Sequence, residues 1–308
     1  RAIDSAKPRT ANFALENAAA PSLPRTEEVA PVNMIVPPSQ FPTAPATIRL
    51  VGRETSVPVP SVLATGEEPL GTPYAVYDYV EGDTTAVLAD LPVAVHERLC
   101  REAGANLAAL HDLTVPGFGR LDPSEGAFAV PDPIAYDDLL GRSLDRQLRL
   151  LGETRFADLR PAIDATASAA IDSLDFGGVT PAVVHGDYRL ANLSVDTDAR
   201  PVTRAVLDWE GATAGDPLWD LAMTLALLVD GAGVPQSRRR RLRRALLDEY
   251  GSVDAEGERW SLYRLLARVR LARHLEEETA GRSRAATDRR AHEHRERLRE
   301  LTAEAGEP

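Results

Sequence analysis

Asp187, Asn192 and Asp208 are the residues whose types and spacing could do chemistry. The first two lie in Val183-Val184-His185-Gly186-Asp187-Tyr188-Arg189-Leu190-Ala191-Asn192-Leu193. Sixteen residues after Asn192 comes Asp208, in Ala205-Val206-Leu207-Asp208-Trp209-Glu210. Two short apolar runs thus each deliver an Asp to a loop, with an Asn between them. Phosphoryl transfer from a nucleoside triphosphate needs a carboxylate beside the incoming hydroxyl, oxygen ligands for Mg²⁺ and positive charge near the γ-phosphate. Asp187 could accept the hydroxyl proton. The amide oxygen of Asn192 and the carboxylate of Asp208 are hard ligands suited to Mg²⁺. Arg189 could face the γ-phosphate or form an ordinary surface ion pair. Asp and Asn also favour turns for local reasons, but turn chemistry alone does not require this spacing or these flanks. His185 reads as a residue that orients the loop by hydrogen bonding.

The elements that must hold these groups can be read from periodicity. Ala182 to Val184 and Ala205 to Leu207 are buried strand signals flanking the loop, and Leu218 to Val229 is a buried helix. Leu91 to Leu113, Tyr136 to Leu151, Pro161 to Leu174, Gln236 to Tyr250, Trp260 to Glu278 and Arg284 to Glu300 read as further helices. Upstream, Thr47 to Glu54 resembles the end of a helix, and Val57-Pro58-Val59-Pro60 enforces extended backbone. Ser61 to Thr65 and Tyr74 to Val80 are strand candidates joined by a loop over Gly66 to Gly71. Residues 1–50 differ from the rest, with eight prolines and no glycine, which predicts an irregular segment.

Composition narrows the function classes. The net charge is −12, which argues against a dedicated nucleic-acid binder, because neutralising phosphates needs a basic face. Such a charge would suit a cationic small molecule, although net charge is weak evidence about one pocket. Lys7 is the only lysine, and Cys100 the only cysteine. No intrachain disulfide can form, a reducing, cytoplasmic setting is the expectation, and Cys100 reads as a packed small hydrophobe. No run reaches the length of a membrane span, and no signal-peptide pattern opens the chain. His292 and His294, two apart, do not share a helical face, which argues against a metal pair. Arg238 to Arg241 with Arg243 and Arg244 read as a solvated face balanced by Asp248 and Glu249.

The motifs together resemble a known family. His185-Gly186-Asp187 with Asn192, then Leu207-Asp208-Trp209-Glu210, then Gly215-Asp216-Pro217-Leu218-Trp219-Asp220-Leu221-Ala222, look like the aminoglycoside phosphotransferase and choline kinase-like superfamily. The match extends through Val57-Pro58-Val59-Pro60, Tyr79-Val80-Glu81-Gly82 and Leu107-Ala108-Ala109-Leu110-His111, over roughly residues 47–280. The resemblance implies an α+β, protein-kinase-like two-lobe fold. Its small, β-containing N-terminal lobe would span residues 1–82, irregular before about residue 47. A large, mainly helical lobe would span residues 83–308. The resemblance further implies ATP- and Mg²⁺-dependent phosphorylation of a small-molecule hydroxyl. Asp187 would be the base, Asn192 and Asp208 the metal ligands, and the backbone of Asp78, Tyr79 and Val80 the receiver of adenine. Asp216 and Asp220 would pin the catalytic loop and the helix that follows.

The chain departs from that pattern upstream. A Gly-rich loop over the phosphates should precede Val57, yet the first glycine is Gly52, and backbone that cradles phosphate generally needs glycine. Lys7 has no strand pattern around it, and Glu27 and Glu28 have no helical context. Three readings stay open: a misread or frame-shifted segment joined to a genuine C-terminal portion, a degenerate lobe, or an unusual lobe that supplies the same groups differently. The functional alternative to a kinase is therefore a kinase-like module that binds or regulates without catalysis.

Overall fold

The computed structural model describes residues 43–67, 73–123, 126–231, 234–253 and 257–306. The expectations for residues 1–42, including Lys7, Glu27 and Glu28, lie outside the described residues, as does most of the loop after Gly66.

Helix α1 (Thr43–Glu54) starts earlier than the sequence pattern marks and buries Ala44, Ile48, Leu50 and Val51. Pro45 is tolerated because it falls in the first turn, where the missing N–H has no intrahelical partner. The Val57 to Pro60 stretch is extended, as two prolines dictate, and the Pro58 carbonyl accepts from the Val206 N–H at 2.7 Å. Strand β1 (Val62–Gly66) pairs antiparallel with β2 (Tyr74–Tyr77), Val62 opposite Tyr77 and Gly66 opposite Tyr74. The second strand ends three residues before the expected Val80. Asp78 turns its carboxylate onto Ser61, accepting from the Ser61 N–H at 2.5 Å and from its hydroxyl at 2.8 Å, which stops the ladder.

Helices make up most of the remainder: α2 (Val93–His111), α3 (Tyr136–Leu151), α4 (Arg160–Ser173), and, after four strands, α5 (Pro217–Leu228), α6 (Gln236–Tyr250), α7 (Glu258–Arg273), α8 (Leu275–Glu278) and α9 (Arg284–Glu304). The long helix expected to reach Glu278 is instead broken at His274 into α7 and α8. Helix α2 packs along α6, and α7 is central, touching α3, α4, α5 and α9. Each buried leucine on these faces contributes about 1.5–3 kcal/mol.

Four short strands form two ribbons beneath the loops. Strand β3 (Ala182–Val184) pairs antiparallel with β6 (Thr213–Gly215), and β4 (Leu193–Val195) with β5 (Thr203–Val206). Strands β4 and β6 are three residues each, too short for a period-2 signal, and were not foreseen. All of β3 and β4 is buried, so the loops they carry rise from a fixed base.

Candidate active site

Asp187 stands on the loop between β3 and β4. Gly186 precedes it at φ +74°, where a side chain would be strained. That turn aims two backbone amides inward. Asp220, in the first turn of α5 and wholly enclosed, accepts from the His185 N–H at 2.7 Å and the Gly186 N–H at 2.8 Å. His111 Nε2 lies 3.3 Å from the same carboxylate. Burial pushes the Asp220 carboxyl up, but the bonds from His111 and the His185 amide outweigh it and hold it below the ordinary range. Asp216 caps α5, accepting from the Leu218 N–H at 2.9 Å and the Tyr263 hydroxyl at 2.7 Å.

His185 ties the two halves of the site together. Its Nε2 lies 2.9 Å from the Leu207 carbonyl and its Nδ1 accepts from the Asp187 N–H at 3.2 Å. Those partners assign a neutral ring with the proton on Nε2. The residue before Asp208 is therefore bonded to the residue before Gly186.

Asn192 lies in a short 3-10 turn and donates through Nδ2 to the Asp187 carbonyl at 2.9 Å and to Asp187 Oδ2 at 3.0 Å. Both bonds use the nitrogen, which leaves its amide oxygen to other partners. Asp208 sits at φ 62°, ψ 59°, a left-handed conformation that is uncommon for a residue other than glycine. The Trp209 indole N–H donates to the Val206 carbonyl at 2.9 Å and closes the turn after it. Among the described residues the Asp208 carboxylate has no hydrogen-bond or ion-pair partner. Two residues on, Glu210 Oε1 is buried and unpartnered among the described residues. Burial first, and the Asp208 charge second, raise the Glu210 carboxyl above its usual value. An amide oxygen, an uncommitted carboxylate and an orphaned buried oxygen suit Mg²⁺, so Asn192 and Asp208 fit a magnesium ion.

The sequence reading missed one residue at this loop. Arg270, on α7, donates to the Gly186 carbonyl at 2.6 Å and to Asp187 Oδ1 at 2.8 Å. Arg189 approaches the other oxygen, Oδ2, at 3.1 Å, so it faces the base itself. Arg270 is 83 positions from Asp187. The only local signal is an arginine set in the apolar run Leu265, Leu266, Val269, Leu271 of a buried helix.

Asp78, Tyr79 and Val80 lie in the stretch between β2 and the helical part. The Asp78 carboxylate is spent on Ser61, the Tyr79 ring is 71% exposed, and the Val80 carbonyl accepts from the Ser194 hydroxyl at 3.5 Å. Gly82 then crosses so close to β4 that a Cβ would stand 2.2 Å from the Ser194 Oγ. Asp83 follows, pairing with Val195 in both directions.

Other singled-out residues have structural surroundings. Cys100 is buried, and burial pushes its thiol up to about 12. His294 is wholly buried against Glu278, not solvated on a polar helix. Arg241 pairs with Glu97 and Arg243 with Asp230, so the basic run on α6 is balanced from other elements and not by Asp248 and Glu249.

Comparison with known proteins places this site in a family. The profile of the phosphotransferase enzyme family, APH, matches residues 44–261, well over half of the chain. The chain belongs to that aminoglycoside phosphotransferase family. Solved structures of similar fold include the ADP and hygromycin B complex of a thermostable mutant of aminoglycoside phosphotransferase APH(4)-Ia. It is 18% identical, with a TM-score of 0.56 over 86% of this chain and 84% of that one. The GDP and kanamycin complex of APH(2")-IIIa is 17% identical, with a TM-score of 0.51 over 86% of this chain and 83% of that one. These likenesses establish the α+β, kinase-like two-lobe fold. Among curated proteins the chain is 27% identical over 188 residues to Probable acyl-CoA dehydrogenase IBR3 of Arabidopsis thaliana, covering 57% of this chain and 21% of that protein. It is 29% identical over 124 residues to Acyl-CoA dehydrogenase family member 11 of Mus musculus, covering 36% of this chain and 16% of that protein. The chain thus spans about a fifth or less of the curated relatives it matches. Among the described residues, no helix is long and apolar enough to cross a membrane.

Proposed function

We propose that the protein transfers the γ-phosphoryl group of a nucleoside triphosphate, ATP in the first instance, to the hydroxyl of a small molecule. The observation that carries this reading is the Asp187 loop. One carboxylate is held by Arg270, Arg189 and Asn192, and a second, Asp208, stands uncommitted beyond Asn192. In the reaction the acceptor oxygen bonds to the γ-phosphorus as the bond to the bridging oxygen breaks, and Asp187 takes the hydroxyl proton. Arg270 and Arg189 orient the carboxylate of Asp187, and Arg189 is long enough to swing toward the transferring phosphate. Asn192 and Asp208 would hold Mg²⁺, which supplies charge neutralisation on the triphosphate. The backbone of Asp78, Tyr79 and Val80 would meet the adenine, with residues 1–82 forming the smaller lobe and 83–308 the larger. The structural neighbours captured with ADP or GDP support the nucleotide half of this reading.

The test is Mg²⁺-dependent ATP binding by calorimetry, followed by ADP release with an acceptor panel in the wild type and Asp187→Asn. Binding retained with turnover lost in the variant is the expected result. Equal turnover in both sinks the assignment of the base. One observation favours a non-catalytic module instead, namely the absence of any glycine before Gly52 where a phosphate-covering loop belongs. No Mg²⁺-dependent binding up to millimolar ATP would favour that second reading.

A further inference from the structure

The wall beside Asp187 is basic. Arg270 and Arg189 both touch the catalytic carboxylate, at 2.8 and 3.1 Å. Arg273 lies three residues beyond Arg270 on the same helix, which places it on the same side about 4.5 Å further along the axis. Helix α3 packs against α7 and brings Arg146 to the same neighbourhood. Arg146 is exposed and Arg273 half-buried, and neither forms an ion pair with a carboxylate among the described residues. Arg273 has only the His274 ring at 2.9 Å, with Glu277 as the nearest opposing charge. Burial, then Arg270, then Arg146 make the Arg273 charge harder to hold, and Glu277 compensates only in part.

Unpaired like charges held together cost free energy that a solvated surface would avoid. A cation at the last turn of α7 is explained by the helix dipole, but that does not explain Arg146 arriving from a second helix. An anion offsets the cost for all of them, and guanidinium forks match carboxylate and phosphate oxygens in particular.

We propose that the acceptor is an alcohol carrying a negative charge, a carboxylate or a phosphate ester, received by Arg146 and Arg273 while its hydroxyl meets Asp187. This rests on the phosphotransferase reading above. It sets the local charge of the acceptor site against the acidic character of the whole chain, which by itself would suit a cation. The one-turn offset between Arg270 and Arg273, plus the reach of an arginine, puts the anionic group roughly 5–10 Å from the reacting oxygen.

The experiment compares kcat/KM, from ADP release, for acceptors matched in size and differing in charge. The anions are 4-hydroxybutyrate and glycerol 3-phosphate, the neutral alcohols 1,4-butanediol and glycerol, and the cations 4-amino-1-butanol and kanamycin. Calorimetric binding of each acceptor and of Mg·ATP is measured on the same preparation. The expected result is at least a tenfold preference for an anion over its neutral and cationic counterparts, in turnover or in binding. Which anion leads separates the carboxylate from the phosphate ester. Arg146→Gln and Arg273→Gln each lower that preference several-fold, whereas Arg299→Gln, on exposed α9, leaves it unchanged. A preference for cations, or no discrimination by charge, overturns the proposal. Loss of Mg·ATP affinity in parallel with acceptor affinity in both variants assigns the arginines to the triphosphate and also overturns it. Failure of the wild type to bind Mg·ATP counts against the phosphotransferase reading, while the acceptor-binding series still decides the charge of the pocket.

Discussion

Two carboxylates a short distance apart in the same loop network, Asp220 and Asp187, are held in opposite ways. Asp220 is enclosed by backbone amides and a histidine, donors that are fixed before the side chain arrives. Asp187 is only partly covered, and what holds it are the ends of long side chains reaching in from α7 and from its own loop. A carboxylate satisfied by rigid amides stabilises the fold and has little left for a ligand. A carboxylate satisfied by guanidinium ends and one amide keeps an open side and can exchange partners.

The largest expected separation is in activity. Asp187→Asn lowers phosphoryl transfer by about 10²–10⁴-fold, the usual contribution of a positioned base, with a melting temperature close to wild type. A melting temperature lowered as far as that of an Asp220 variant would erase the contrast. Next, Asp220→Ala destabilises the protein by about 3–5 kcal/mol, because it strands two buried amides and His111. Denaturant unfolding measures this, and a loss under 1 kcal/mol would mean that water replaces the carboxylate without difficulty. Gly82→Ala follows at about 1–3 kcal/mol, since the new methyl meets the Ser194 hydroxyl in a packed crossing. Pairing it with Ser194→Ala should recover part of the loss.

The pH dependence sharpens the comparison further. Burial depresses His294 to about 4, only partly opposed by Glu278. The unfolded chain then binds a proton that the folded chain refuses. Stability is fully present above the ordinary histidine value of about 6.5 and falls as pH drops toward about 4. Burial opposes the ionised form of Glu278, but His294 and Arg290 outweigh it and bring its carboxyl to about 2. Its contribution, like that of Asp220, is present above about 4 and lost below. Thermal melts from pH 7 to pH 3 should decline in two stages, with His294→Gln removing the first. A flat profile between pH 6.5 and 4 in the wild type would refute the buried neutral histidine. The smallest effect belongs to the half-exposed Arg299 and Glu296 pair, whose removal costs about 0.5 kcal/mol or less.

Much of this was legible in the sequence, where local chemistry decides the outcome. The helices at Tyr136–Leu151 and Gln236–Tyr250 follow their apolar spacing residue for residue. The loop chemistry around Asp187, Asn192 and Asp208 could be read because all three sit within one stretch whose flanking strands are apolar. What could not be read depends on distant partners. Arg270 reaches Asp187 from a helix far along the chain, and nothing beside it in sequence announces the contact. His294 is buried only because α8 sets Glu278 opposite it. Strand β2 stops early through the choice of a single aspartate to bond Ser61, which hydropathy does not register.

The two crossings between the hairpin and the helical part have a mechanical consequence. Pro58 is bonded to Val206 on β5, and Asp83 to Val195 on β4, and these attachments fall at opposite ends of one ribbon, since Leu193 faces Val206 and Val195 faces Thr203. A body riveted at two separated points resists torque about either one. The β1–β2 hairpin therefore turns with the β4–β5 ribbon as a lever with its fulcrum, and tension on the hairpin must shear both rivets before the segments come apart.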